Sequence, residues 1–378
     1  MKGAGSPSPA FRGRGGAHRA AVGGEGLAES VLQTLTSQAF GLGPWGAAKA
    51  ASGGRSQAPH SPVRAGEGFW GVLLALFLVF FPAAAQAGPW GPGELVQYRA
   101  FPSRHVEPRN VTVWLPEGYD PKGEPYAVLY MHDGQNLFDR RTSSFDKEWG
   151  VDEAVSKLVA ERRIPPTIVV GIWSTAKRLR EYVPAKAFDR LPPAYMSRVE
   201  GLYGGTPLSD EYLRFLVDEL KPLVDRSFNV RRDRRSTAIM GSSMGGLISL
   251  YAISEYPNVF GAAGMVSTHW PLLLPPEGQK LSDSDLDSVA SAFEAYLRHK
   301  LPRPGRHRLY FDHGTETLDR HYATYQARID RLVAARGWTR DRNWISRNFP
   351  GAAHEENSWR ARVDVPLSFL LGPGTPAR

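Results

Sequence analysis

The chain has 378 residues, 42% of them hydrophobic, no cysteine and a formal net charge of +8. The missing cysteine excludes thiol catalysis, Cys-ligated zinc, a lipoprotein anchor and disulfides, so a fold has to rest on its apolar core. Residues 1–87 hold seven Lys/Arg against three Asp/Glu, half of the net charge, and the rest is spread with no basic block, which argues against a nucleic-acid partner.

Residues 1–62 are rich in Gly, Ala, Ser, Pro and Arg without long apolar periodicity, and read as a disordered extension or one absent from the natural product. Residues 63–87 follow a different logic: Arg64, an apolar run from Phe69 to Phe81, Pro82, and then Ala85-Gln86-Ala87 before Gly88. A basic start, a short apolar stretch and an A-x-A site describe a secretory signal peptide, which places the mature protein outside the cytoplasm, periplasmic or secreted. A membrane anchor is the rival reading, but this run falls short of the roughly 18–20 apolar residues that span a bilayer. The signal reading implies a start near Val63 and cleavage after Ala87, with one domain from 88 to 378 and no stable membrane insertion after cleavage.

From about residue 95 onward, runs rich in Val, Ile, Tyr and Phe alternate with helical patterns. Residues 95–101 and 110–115 read as paired antiparallel strands. Further strands are expected at 126–134, 167–174, 236–241, 261–267, 308–314 and 343–349. Helical patterns lie near 150–162, 209–226, 244–256, 285–300, 319–336 and 357–371. Nearly continuous apolar strands separated by helices predict an α/β fold with a mostly parallel sheet covered on both faces. Residues 175–208 carry Pro, Gly and scattered charge without periodicity, and are expected to form a long excursion over the functional face.

Gly241-Ser242-Ser243-Met244-Gly245 matches G-x-S-x-G, with a strand before it and a helix after it. Small residues on both sides let a sharp strand-to-helix turn close around an exposed serine, so Ser243 is the candidate nucleophile and Ser242 a structural neighbour. A serine hydroxyl needs a base to take its proton, and in this architecture the chain order is Ser, acid, His. Of the histidines that follow, His354 in FPGAAHEENSW lies after the last strand and just before the final helix, where the base belongs. The acid should come from DHGTETLD. Asp312 lies inside the strand, whereas Asp319 and Glu316 both lie beyond it. Asp319 is preferred and Glu316 stays open, since either can orient an imidazole and Asp319 can equally be a helix cap.

The stretches VLYMHDGQNLFD, EWGVDEAV, REYVP, GSSMGGLISLYA and GAAHEENSW together resemble the putative-esterase family of α/β-hydrolases, over about residues 95–371. That family includes enterochelin esterases, feruloyl esterases, S-formylglutathione hydrolases and mycolyltransferases. The resemblance implies the α/β-hydrolase fold, a Ser-acid-His triad with Ser243 and His354 in the matching places, and no cofactor. It also suggests an oxyanion hole from the backbone N–H groups of Met244 and Gln135. The leading expectation is therefore an exported esterase acting on a small-molecule ester. Acyl transfer to a sugar or other hydroxyl acceptor, and a catalytically dead fold kept for binding, are the alternatives. Trp149, Arg180, His269, Trp270 and Trp359 are candidates to line the substrate cleft, with core packing as the competing reading for the tryptophans.

Overall fold

A computed structural model describes residues 93–373, apart from 145, 277–278 and 306. The segments 1–62 and 63–87 lie outside the described residues, all of which belong to the unit Phe40–Arg378. Every strand expected from the sequence forms: β1 (Glu94–Phe101), β2 (Arg109–Leu115), β3 (Ala127–His132), β4 (Thr167–Ile172), β5 (Thr237–Ser242), β6 (Ala262–Val266), β7 (Arg308–His313) and β8 (Trp344–Asn348). They build one sheet in the order β1-β2-β4-β3-β5-β6-β7-β8. Pairings β1–β2 and β2–β4 are antiparallel, and all the others are parallel.

Composition decides which strands are central. AVLYMH of β3 and TIVVGI of β4 are buried at every position, as strands covered on both faces must be. ELVQYRAF of β1 is mostly exposed or half-buried, and it closes one edge. Beneath the sheet, Leu129, Met131, Val169 and Met240 form a cluster with Val151, Val155 and Leu158 of the helix Val151–Ala160 and Leu367 and Leu370 of the helix Asp364–Leu371. The helix Met244–Glu255 is buried through Ser254, because MGGLISLYAIS has no polar stripe to offer water.

Strand order also locates the functional crevice. The chain steps from β3 to β4 on one side, then crosses back to lay β5 on the other side of β3. At such a reversal the loops leaving adjacent strands part in opposite directions and leave a crevice at their carboxyl ends. The loops leaving β3 and β5 carry Gln135 and Ser243.

The helices differ from the sequence expectation in detail. Residues 175–208 are not irregular: they form Arg178–Tyr182, Ala185–Phe188 and Pro193–Tyr203, each too short to show periodicity, with Pro184 and Pro192 capping the last two. The helix expected at 209–226 is interrupted by a π turn, Phe215–Leu220, between Ser209–Arg214 and Lys221–Ser227. Pro222 explains the interruption, since it has no N–H for the carbonyl of Asp218 and its ring crowds that turn. Before the helix Ala323–Ala335, residues Thr317–His321 adopt a tighter 3-10 turn. The last helix divides into Glu356–Arg360 and Asp364–Leu371. Among the described residues no helix is long and apolar enough to cross a membrane.

Candidate active site

Ser243 stands between the end of β5 and the first residue of the helix Met244–Glu255, with φ 57° and ψ −123°. A serine gains nothing locally from that sparsely populated conformation, and it persists because the surroundings impose it. Its N–H donates to the Val266 carbonyl (2.9 Å), and its own carbonyl accepts from Gly246 (3.0 Å) and His269 (3.2 Å). A Cβ on Gly241 would lie 2.9 Å from the carbonyl carbon and oxygen of Gly245, so the turn closes only with glycine there. The side chain is buried, and Ser243 Oγ makes no hydrogen bond among the described residues.

His354 and Asp319 meet. His354 Nδ1 lies 2.6 Å from Asp319 Oδ1, both side chains being almost fully buried. The His354 backbone N–H is held by the Thr317 hydroxyl at 2.8 Å, and its ring stands edge-on to Trp359 and Tyr322. Asp319 is no helix cap: its Oδ2 accepts from the Gly314 N–H (2.5 Å) and the Ser267 hydroxyl (2.6 Å). Burial alone would raise this carboxyl, but the His354 charge and the hydrogen bonds from His354, Ser267 and Gly314 outweigh it and hold it below the usual range. Glu316 is exposed and its carboxylate accepts from the neighbouring Thr315 hydroxyl (3.1 Å), so of the two acids it is Asp319 that the structure places against the His354 ring. His354 Nε2 is buried without a hydrogen-bond partner among the described residues, like Ser243 Oγ.

The loop after β3 faces the same helix start. Asp133 turns the chain in the left-handed region (φ 56°, ψ 47°), and Gly134-Gln135-Asn136 follow as one 3-10 turn. The side chain of Gln135 is locked to Ser174, donating to its hydroxyl (2.8 Å) and accepting from its N–H (3.2 Å). Its backbone is thereby fixed. A Cβ on Gly245 would lie 3.5 Å from the Asp133 carboxylate, which brings this loop against the turn that carries Ser243. Met244 opens its helix, so its N–H has no acceptor inside that helix.

Asp133 is in turn gripped by Arg178 through two charge-assisted bonds, Nε to Oδ1 and Nη2 to Oδ2, both 2.7 Å. The sequence pointed two residues away, to Arg180. Arg180 is half-exposed and donates to the Thr206 carbonyl at 2.7 Å, so the arginine that the structure brings to the site is Arg178. The tryptophans resolve toward packing. Trp149 lies in the core cluster with its ring 5.2 Å from that of Trp359, and Trp270 is wedged against Phe293 and Phe311 while donating to Gln326 (3.1 Å). Both are buried. Trp359 backs the His354 ring and donates to Ser267 (3.0 Å). His269 is fully buried with Nδ1 2.7 Å from the Tyr322 hydroxyl, and Tyr322 lies between its ring and that of His354. Burial, aided by the His354 and Arg178 charges, pushes His269 down to about 3, so it sits in the site's wall as a neutral ring.

With this arrangement in view, residues 104–369 match the family described as Putative esterase. The chain belongs to that family. Among curated relatives of this esterase family member, the protein YbbA of Bacillus subtilis is 26% identical over 271 residues, covering 70% of this chain and 93% of YbbA. Ferri-bacillibactin esterase BesA of the same organism is 27% identical over 195 residues, which covers 48% of this chain and 63% of BesA. Two solved structures share the fold at 18% identity. One is a ferulic acid esterase (TM-score 0.50, covering 74% of this chain and 97% of that one). The other is an IroE-like serine hydrolase from Shewanella oneidensis (TM-score 0.52, covering 74% and 80%). The fold is therefore that of the α/β-hydrolase esterases, and the family's chemistry is ester hydrolysis.

Proposed function

We propose that this chain hydrolyses a carboxylic ester through an acyl-enzyme on Ser243, with His354 as base and Asp319 as its orienting acid. The observation that carries the proposal is the 2.6 Å His354–Asp319 bond at the strand ends where Ser243 occupies its strained turn. With Nδ1–H held by Asp319, the lone pair of His354 is on Nε2, which takes the Ser243 proton as Oγ attacks the ester carbonyl. The carbonyl oxygen gains a negative charge, received by the N–H groups of Met244 and Gln135. One such donor is worth on the order of 3 kcal/mol in the transition state. As the tetrahedral intermediate collapses, the C–O bond breaks and the imidazolium returns the proton to the departing alcohol. Water then repeats the sequence, with His354 again as base, and releases the acid.

Assays on short p-nitrophenyl esters test this, with wild-type chain expected to turn over and Ser243→Ala to retain less than about a thousandth of the rate. Near-normal hydrolysis by Ser243→Ala would remove Ser243 as nucleophile. BesA is named a ferri-bacillibactin esterase and one fold neighbour a ferulic acid esterase, so esters of these two kinds are the first natural substrates to assay. We further propose export, with residues 63–87 as the signal. Mass spectrometry of secreted protein should find Gly88 at the N-terminus, and recovery of the uncleaved apolar run in membranes would contradict it.

A further inference from the structure

Ser267 lies one residue beyond β6, wholly buried and with φ 43°. This left-handed conformation is uncommon for serine and persists only where the surroundings over-determine it. Its N–H is tied to the Asp312 carbonyl at 2.9 Å. Three groups surround its hydroxyl: Asp319 Oδ2 at 2.6 Å, Arg362 Nη2 at 2.9 Å and Trp359 Nε1 at 3.0 Å.

A hydroxyl has one hydrogen and two acceptor lone pairs, while a guanidinium and an indole N–H can only donate. Arg362 and Trp359 therefore fill both lone pairs, and the single hydrogen has to go to Asp319. Its direction follows from the partners' chemistry alone. Arg362 is itself held by Asp312, through Nε to Oδ2 (3.2 Å) and Nη2 to Oδ1 (3.1 Å), so the donor behind Ser267 is fixed. Two N–H donors on the hydroxyl oxygen also polarise it and strengthen the bond it gives.

We infer that Ser267 is a positioning residue for this site, its hydroxyl tempering the basicity of the carboxylate that orients His354. The inference rests on the serine-hydrolase reading above. Donation to Asp319 stabilises the ionised carboxylate and leaves Oδ1 for the imidazole. Without the hydroxyl, Asp319 becomes more basic and holds the proton of the adjacent imidazolium more tightly. The acid limb of reactivity then moves to higher pH. The other charged and titratable groups facing the pair are Arg362 and Asp312 behind Ser267, Glu356 beside His354, and His269, Tyr322 and Arg178 along the wall. None of them changes in the variants below.

Two substitutions separate this role from stability. Ser267→Gly removes the hydroxyl and suits a positive φ, whereas Ser267→Thr keeps a hydroxyl but strains a β-branched residue there. The measurement is the rate at which a fluorophosphonate modifies Ser243, followed over roughly pH 5 to 9. Ser267→Gly should move the acid limb up by about half a unit to one unit, slowing labelling roughly three- to tenfold on that limb. Ser267→Thr should melt lower yet keep the wild-type limb. A wild-type limb in Ser267→Gly, or equal shifts in both variants, overturns the inference and leaves the serine mechanism standing. Failure of the wild-type chain to label at Ser243 while it hydrolyses esters overturns both.

Discussion

Gly241, Gly245 and Gly246 look alike around Ser243, but the structure asks different things of them. A Cβ at Gly241 meets the Gly245 backbone at 2.9 Å, and one at Gly246 meets the Thr268 hydroxyl at 2.9 Å. At Gly245 the nearest atom is His132 Cβ at 3.4 Å, an ordinary contact. Gly241→Ala is therefore expected to open the turn and abolish most activity, while Gly245→Ala keeps activity within roughly tenfold. Assaying both on one ester checks this, and equal losses would contradict it. Asp319→Asn is expected to lower kcat by several orders of magnitude, as loss of the orienting acid does, and Glu316→Gln to leave it nearly unchanged. A dead Glu316→Gln with an active Asp319→Asn would reverse the assignment. The places of Ser243, on the turn between a strand and a helix, and of His354, after the last strand, were legible because the motif and the chain order mark them. The choice between Asp319 and Glu316 was not, since it depends on the Gly314 and Ser267 donors that converge on one carboxylate. Arg178 was missed for a geometric reason: residues two apart on a helix point about 200° from one another, and no periodicity across five residues says which faces inward.

Among the elements, the strands were readable and the short helices were not. Continuous apolar runs mark β3 to β7, but Arg178–Tyr182 and Ala185–Phe188 are too brief for a periodic signal, and only tertiary contacts stabilise them. Those contacts matter to the site. Arg178 reaches from its helix to Asp133, which holds the turn carrying Gln135. Arg178→Met should leave the Asp133 carboxylate buried and unpaired, costing about 3–5 kcal/mol of stability along with activity. Arg180→Met, which gives up one bond to the Thr206 carbonyl, should change either by little. Thermal melts and kcat/KM for the two variants decide this. Comparable damage from both would mean that the Asp133–Arg178 pair is not what fixes the turn.

Across the whole molecule, buried titratable groups set how the fold responds to pH. Burial pushes His132 and His269 down to about 3 from an ordinary 6.5. Between those values the unfolded chain takes up protons that the folded chain refuses, so this stability is full above about pH 6.5 and lost as pH falls, by up to about 1.4 kcal/mol per unit for each group. Asp152 acts oppositely. Burial and the neighbouring Glu153 raise its carboxyl, so its contribution is full at low pH and lost as pH rises. Asp152→Asn should therefore raise the melting temperature at pH 8 and steepen its fall below pH 6.5. An unchanged melting curve at pH 8 would show that Asp152 carries no buried charge there.

An acyl-enzyme on Ser243 can be trapped. Wild-type chain mixed with a p-nitrophenyl ester, quenched in acid and digested for mass spectrometry should carry the acyl group on the peptide containing Ser243. Ser243→Ala should carry none and release no product above background. Steady turnover with no acylated peptide, or with the acyl group on another residue, would rule out Ser243 as the nucleophile.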